Sequence, residues 1–118
     1  MAEPTAEELQ RAKEYLLKSE DALYELLSGG SRDNAFPEDL IKRGRTMFAN
    51  LKSNYRQTIC GDPNVRAVFT EGKDNQRVML LIAIADLLGG QGAFALAALI
   101  VKEGLDTYCE PIWHVNGR

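Results

Sequence analysis

The side chains of this sequence best suited to nucleophilic or metal chemistry are its two cysteines, Cys60 and Cys109, and its one histidine, His114. Cys109 and His114 lie close enough in sequence to suggest a metal-binding pair or a Cys–His dyad. A structural zinc site needs a second pair of ligands, however, and a catalytic dyad needs a third group that orients the base. The sequence provides neither at a suitable spacing. We therefore predict no catalytic residue, no metal site, no cofactor and no enzymatic activity.

Asp86 is a carboxylate inside an otherwise apolar segment, residues 78–88. A charged group in such a segment must reach solvent or find a partner, because an unpaired buried charge is strongly unfavourable. Arginines on neighbouring segments, Arg56 and Arg77 among them, favour a partly buried ion pair that fixes the register of the helices. The alternatives are that Asp86 is the polar anchor of a bound ligand, or that it occupies a surface position near the following turn.

A glycine-rich segment follows Asp86 and contains Gly90-x-Gly92-x-x-Ala95, a loose form of the dinucleotide-binding fingerprint. The segment before it is rich in leucine, and the sequence lacks the repeated strand–helix units of a nucleotide-binding fold. We therefore interpret the glycines as a connection between two helices. Together with Asp86, they also argue against one membrane-spanning helix over residues 78–101, since a span needs about 20 uninterrupted apolar residues.

Helical periodicity dominates the rest of the chain. Thr5 and Glu8 match a capping box, which marks the start of a helix. The pattern predicts one all-α domain over residues 1–118, a bundle of about five helices in which two long amphipathic helices pack around a very apolar C-terminal helical hairpin. The predicted helices cover residues 5–28, 37–60, 63–70, 75–88 and 93–104, and residues 105–118 form a tail in which Pro111 ends any further turn.

One face of the first predicted helix carries regularly spaced leucines, namely Leu9, Leu16, Leu23 and Leu26. This leucine stripe follows a heptad-like pattern. The last two predicted helices are apolar nearly all round, and a chain this short has few elements to cover them, which favours completion by a second subunit. We predict a non-enzymatic protein–protein interaction module that self-associates, as a homodimer, or binds another protein. The predicted interface is the leucine stripe, with Trp113 as a further anchor.

The alternative function is the binding of a small apolar ligand in a pocket between the helices. In that case Asp86 or one of the arginines would be the polar anchor, as is usual for a largely apolar pocket. A ligand-binding protein should carry bound material or enclose a cavity, whereas a self-associating module should change its mass with concentration.

The balance of charges is slightly acidic, with 14 lysines and arginines against 17 acidic residues and a pI of about 5.2. This balance disfavours nucleic-acid binding, which usually requires a basic face. The second predicted helix is locally basic, through Lys42, Arg43 and Arg45, and the first is acidic. The pattern predicts that these helices pair, within one chain or across a dimer.

The first residues of the chain lead directly into a charged helical pattern, without the basic and then apolar order of a secretory signal. We therefore predict a cytoplasmic protein. In a reducing cytoplasm, Cys60 and Cys109 would be two free, buried thiols.

Overall fold

A computed structural model describes residues 4–29, 36–90 and 92–113 of the chain. Over these ranges every regular element is a helix, which confirms the predicted all-α class. The predicted count of about five helices is too low. The described ranges contain eight helices: α1 (Ala6–Leu17), α2 (Glu20–Leu27), α3 (Pro37–Asn54), α4 (Arg56–Cys60), α5 (Pro63–Glu71), α6 (Gln76–Leu88), α7 (Ala93–Glu103) and α8 (Leu105–Trp113).

The first predicted helix is in fact two helices, α1 and α2, because the chain breaks at Lys18 and Ser19. Its start is as predicted: the Thr5 hydroxyl accepts from the Glu8 amide at 3.1 Å, and the Glu8 carboxylate accepts from the Thr5 amide at 3.0 Å. The Ser19 hydroxyl accepts from the Ala22 amide at 3.1 Å and so caps α2. Serine followed by two acids is itself a helix-start pattern, so the sequence already contained the signal for this break.

The second predicted helix is also divided. α3 ends at Asn54, α4 begins at Arg56, and Tyr55 lies at the bend between them. Neither glycine nor proline marks this bend in the sequence. α4 packs against α8, and its buried residues are Ile59 and Cys60. The direction of α4 therefore follows from its tertiary contacts, which local sequence patterns do not reveal.

α2 and α3 pack closely at Gly44. This buried glycine lies against the backbone carbonyl of Tyr24, so that a Cβ atom at position 44 would overlap it. Beside this contact, the Arg45 guanidinium is 3.5 Å from the Asp21 carboxylate. One basic residue of α3 thus pairs with an acidic residue of α2 within the same chain.

α7 lies at the centre of the molecule, in contact with α1, α2, α3, α6 and α8. Its residues from Ala95 to Val101 are all buried. α6 packs against α7 and contributes further buried residues, namely Leu80, Leu81, Ile82, Ile84 and Ala85. Helices of the same chain therefore cover most of the apolar surface that led us to expect a second subunit.

The predicted C-terminal tail contains a helix, α8, that continues through Pro111 to Trp113. The prediction that Pro111 ends the helix is therefore wrong. The indole N–H of Trp113 donates to the Cys60 carbonyl at 2.8 Å, and the ring packs on Phe69 with 5.1 Å between centroids. These contacts hold the last turn in place, although proline lacks the N–H group that would bond to the preceding turn.

Cys60 and Cys109 form a disulfide between α4 and α8, so the prediction of two free thiols is wrong. Both residues are buried. The bend at Tyr55 turns α4 towards α8 and brings the two Cα atoms to 5.6 Å, within the usual range for a disulfide. Because the cysteines are 49 residues apart, the bond closes a long loop of the chain.

Candidate functional site

A cleft of about 640 Å³ lies at the end of the bundle where a glycine-rich turn connects α6 to α7. We call it the Asp86 cleft. Gly89, Gly90 and Gly92 have positive φ angles, which glycine adopts without strain, and a Cβ atom at Gly89 or Gly90 would meet open space. The turn therefore leaves this side of the cleft open. Side chains from four helices form its walls: Arg11, Tyr15, Leu26, Leu27, Ala85, Asp86, Ala93 and Phe94.

One wall of the Asp86 cleft is aromatic and positively charged. The rings of Tyr15 and Phe94 lie 5.5 Å apart between centroids. The Arg11 guanidinium is 4.4 Å from the Phe94 centroid and 5.8 Å from the Tyr15 centroid, within the range of cation–π interactions. The Lys18 ammonium lies 5.8 Å from the Tyr15 centroid. Lys18 is not among the residues that line the cleft, so this wall combines flat apolar surface with one cation, Arg11.

Asp86 supplies a negative charge to the same cleft and is exposed at its edge. Partial loss of solvent raises the pKa of the Asp86 carboxyl above its ordinary value of 3.8, and the negative charge of Glu8 raises this pKa further. Both effects disfavour the charged carboxylate. A perturbed carboxyl group in a cleft is found more often at binding and catalytic sites than elsewhere.

Among the described residues, Asp86 forms no ion pair with an arginine, so neither Arg56 nor Arg77 is the predicted partner. The ion pairs of the described residues are Arg45–Asp21, Lys52–Glu103 and Lys73–Glu71, and none includes Asp86. Arg56 instead donates through Nε to the Tyr108 carbonyl at 2.9 Å. Arg77 is exposed on α6 itself, about 14 Å from Asp86 along the axis and on the opposite face of the helix.

Three residues of the aromatic wall, Arg11, Tyr15 and Phe94, were not among the candidates from the sequence. A signal existed for Arg11, because it lies four residues before Tyr15 on α1, and residues at this spacing share one face of a helix. No local pattern places Phe94 beside them. It reaches this wall because α1 packs against α7.

The leucine stripe lies mostly against the core of the same chain. Leu23 is fully buried, so it is not available to a partner. Leu9 and Leu16 are half-buried and pack against the core. Only Leu26 is exposed, and it lines the Asp86 cleft. In α2 the buried residues are Leu23 and Leu27, so its buried face runs through Leu27 rather than Leu26.

Trp113 is half-buried and packs back onto its own chain, through Phe69 and the Cys60 carbonyl. The Arg66 guanidinium lies 5.3 Å from its ring. His114, the remaining candidate for metal or nucleophilic chemistry, lies outside the described residues.

Two other clefts are more apolar. One, of about 310 Å³, has Leu9, Val68 and Met79 in its walls. The other, of about 130 Å³, lies on the far side of Leu27 and is lined by Leu51 and other apolar residues. Asp86 lines neither of these two clefts, but it also lines a further, more open cleft of about 580 Å³ together with Ala83 and Leu87.

Two further types of site are missing from residues 4–29, 36–90 and 92–113. These ranges hold no group of three or more histidine, cysteine, aspartate or glutamate side chains placed to bind a metal ion. In the same ranges, no helix has both the length and the apolar composition needed to cross a membrane.

The Asp86 cleft thus brings together an aromatic pair, a guanidinium and a carboxylate that forms no ion pair with any described residue. No protein-family model, no curated protein and no solved structure matches this chain. Similarity to other proteins therefore supports no function, and the physical properties of the cleft carry the functional argument.

Proposed function

We propose that this protein is a small helical module that binds a small organic ligand in the Asp86 cleft. The observation that carries the proposal is the position of Asp86, a carboxyl group with a raised pKa that lines a cleft of about 640 Å³ and has no ionic partner among the described residues. Ligand sites typically enclose about 300–1,000 Å³ and combine apolar walls with a few polar groups that orient the ligand. The volume of the Asp86 cleft lies in this range, and its lining combines the apolar groups Tyr15, Phe94 and Leu26 with a larger share of polar surface, to which Arg11 and Asp86 belong.

Binding, rather than catalysis, suits the groups that face the cleft. Ser28 is the hydroxyl-bearing aliphatic side chain at its edge, and its hydroxyl donates to the Glu25 carbonyl at 2.9 Å. An activated serine needs a neighbouring base, and the described wall contains no histidine or lysine. Arg11 and Asp86 are suited to orient a ligand by charge. We therefore keep the expectation of a non-enzymatic protein as part of the proposal.

Self-association receives less support than ligand binding. The predicted interface was the leucine stripe, and Leu23 is fully buried within its own chain. Two large apolar side chains are well exposed, Leu17 at 86% and Phe36 at 71%. They belong to different helical segments and line none of the four clefts. Single exposed apolar residues are normal on soluble proteins. A homodimer or a protein partner stays a prediction.

The disulfide bears on where the protein works. Disulfides form and persist in oxidising compartments and are rare in the cytoplasm, where thiols are kept reduced. The Cys60–Cys109 bond therefore argues against the cytoplasmic location predicted from the sequence. Alkylation of free thiols while the protein is in its native compartment, and then mass spectrometry, tests this. A reduced chain gains two alkyl groups, and an oxidised chain gains none.

Binding at the Asp86 cleft is testable with a flat aromatic dye, 1-anilinonaphthalene-8-sulfonate. Its rings match the Tyr15–Phe94 wall, and its one negative charge suits Arg11. We expect saturable binding, with NMR amide shifts confined to the segments that line the cleft: α1 around Arg11 and Tyr15, the ends of α2 and α6, the glycine turn and the start of α7. Shifts confined to another surface, or no saturable binding, would contradict the proposal. Native mass spectrometry of the purified protein would detect a ligand that co-purifies.

The chain offers a matched pair of variants for this test. Leu26 and Leu87 are similarly exposed, at 39% and 36%, but only Leu26 lines the Asp86 cleft. We expect Leu26→Asp to weaken dye binding by about tenfold, because it removes apolar contact area and adds a negative charge. Leu87→Asp should leave dye binding unchanged. Equal effects of the two variants would mean that the dye does not occupy the cleft.

A further inference from the structure

Arg11 and Asp86 line the same cleft from two different helices, α1 and α6, and they carry opposite charges. Neither belongs to any of the ion pairs found among the described residues. Two opposite charges on one cleft, each without an ionic partner, leave room for a molecule that pairs with both. This juxtaposition bears on the chemical class of the ligand.

The two sides of the cleft differ in charge. On the Asp86 side, the charged group that raises the pKa of this carboxyl is a second carboxylate, Glu8. On the aromatic side, the cation that lines the cleft is Arg11, which lies 4.4 Å from the Phe94 centroid and 5.8 Å from the Tyr15 centroid. A ligand with only one charge would meet one favourable side and one unfavourable side. A ligand with both charges would be favoured by both.

We propose that the ligand is a small zwitterion with an apolar side chain, of the type of a free apolar α-amino acid, whose ammonium group pairs with Asp86 and whose carboxylate pairs with Arg11. This inference rests on the proposed function, since it assumes that the Asp86 cleft is the binding site. The apolar part of the ligand packs against the Tyr15–Phe94 wall and Leu26. A guanidinium and a carboxylate can form two parallel hydrogen bonds, and such a bidentate pair would fix the orientation of the ligand as well as neutralise its negative charge.

Three probes with the same phenyl ring test the charge requirement: phenylalanine, 3-phenylpropionate and 2-phenylethylamine. The first is a zwitterion, the second an anion and the third a cation at neutral pH. Binding is measured for each by NMR titration of the full chain with its disulfide intact. We expect phenylalanine to bind at least about tenfold more tightly than either singly charged probe, because it forms two charge-assisted contacts instead of one.

Variants then assign each charge to its residue. Asp86→Asn should weaken phenylalanine binding by about tenfold and leave 3-phenylpropionate binding equal or stronger. Arg11→Gln should also weaken phenylalanine binding, and it should leave 2-phenylethylamine binding equal or stronger. Each variant should thus lose its preference for phenylalanine over one singly charged probe; we call this the exchange of preference. Loss of structure alone would instead weaken the binding of all three probes.

Matched control variants lie away from the cleft. Arg66→Gln removes a guanidinium that also rests over an aromatic ring, that of Trp113. Asp74→Asn removes an exposed carboxylate in the turn before α6. Both should retain the binding of all three probes, and thermal unfolding of every variant should show one cooperative transition.

The possible outcomes separate this inference from the proposed function. Preference for phenylalanine, with the exchange of preference in the two cleft variants, supports the inference. Equal or tighter binding of the anion or the cation at the cleft overturns it and leaves the proposed function in place. If none of the three probes binds while the dye still occupies the cleft, the inference is again overturned alone. If neither the dye nor the probes bind, both are overturned.

Discussion

Gly44 of α3 lies directly against the backbone carbonyl of Tyr24 in α2, and this contact sets how closely the two helices approach. A Cβ atom at position 44 would overlap the Tyr24 backbone rather than a flexible side chain. The backbone would therefore have to move to admit any other residue. α2 in turn supplies Leu26 and Leu27 to the Asp86 cleft.

Substitution of Gly44 by alanine should destabilise the protein. Helix propensity alone would make Gly44→Ala stabilising by about 1 kcal/mol, but the overlap with Tyr24 should outweigh this and give a net loss of about 1–3 kcal/mol. Urea unfolding measures the change. An informative control is Ala49→Gly on the exposed face of the same helix, which should cost about 1 kcal/mol through propensity. A stabilised Gly44→Ala variant would disprove the close contact.

Removal of the disulfide should lower stability without abolishing the docking of α8. The bond joins residues separated by 49 positions, and closing such a loop restricts the unfolded chain by about 3–4 kcal/mol in the entropic account. The Cys60→Ala, Cys109→Ala double variant should therefore unfold at a lower urea concentration. Its Trp113 indole should still donate to the carbonyl of residue 60, which indole N–H shifts in NMR spectra would report. Equal stability of the double variant and the oxidised parent would contradict a structural role for the bond.

Tyr108 should make stability fall at alkaline pH. Burial is the main cause that raises the pKa of Tyr108 from 10.0 to about 12, and Glu103 adds to the shift while Arg56 opposes it. The Tyr108 hydroxyl also donates to the Lys52 carbonyl, which the phenolate could not do. The pKa of Tyr108 is higher in the folded protein than in the unfolded chain. The protonated Tyr108 hydroxyl therefore contributes its full share of the folding free energy below pH 10, and this share is lost as the pH rises through 12.

The loss between these two pH values should reach about 2 kcal/mol. Urea unfolding over this range measures it, and Tyr108→Phe is the reference because phenylalanine does not titrate. The pKa of Tyr24 is also raised, mainly by burial, so only the difference between the parent and the variant reports on Tyr108. Parallel pH profiles would show that Tyr108 does not contribute.

Asp86→Asn should slightly stabilise the folded protein at neutral pH. Partial burial, and then the charge of Glu8, raise the folded-state pKa of Asp86 above 3.8. The folded protein therefore binds the neutral form of Asp86 more favourably than the charged form. The protonated carboxyl stabilises the fold below pH 3.8, and this stabilisation is lost as the pH rises through the folded-state pKa.

The gain from Asp86→Asn should stay below about 1 kcal/mol, because solvent screens an exposed group. Thermal unfolding at neutral and at acid pH should show the gain shrinking in acid. Lower stability of the variant at neutral pH would indicate a favourable partner for the carboxylate. A carboxylate that lowers stability yet strengthens ligand binding would fit the trade-off between stability and function seen at binding sites.

Several features of this protein follow from sequence alone. The capping box of Thr5 and Glu8 and the N-cap Asp62 involve groups within a few residues of each other, so the local pattern suffices to place the helix starts. The continuous apolar residues of α7 likewise predict a helix surrounded on all sides, and α7 is central. Asp86 was a candidate polar anchor because a charge in an apolar segment requires an explanation wherever it lies.

The tertiary structure decided the rest, because the features concerned depend on contacts between distant residues. The bend at Tyr55 has no local signal, and it brings Cys60 to Cys109. Arg56 does not pair with Asp86, because its guanidinium donates to the Tyr108 carbonyl of α8. The wall formed by Arg11 and Phe94 exists only because α1 packs on α7. Periodicity fixes which face of a helix is apolar, but the packing of whole helices determines which residues meet across it.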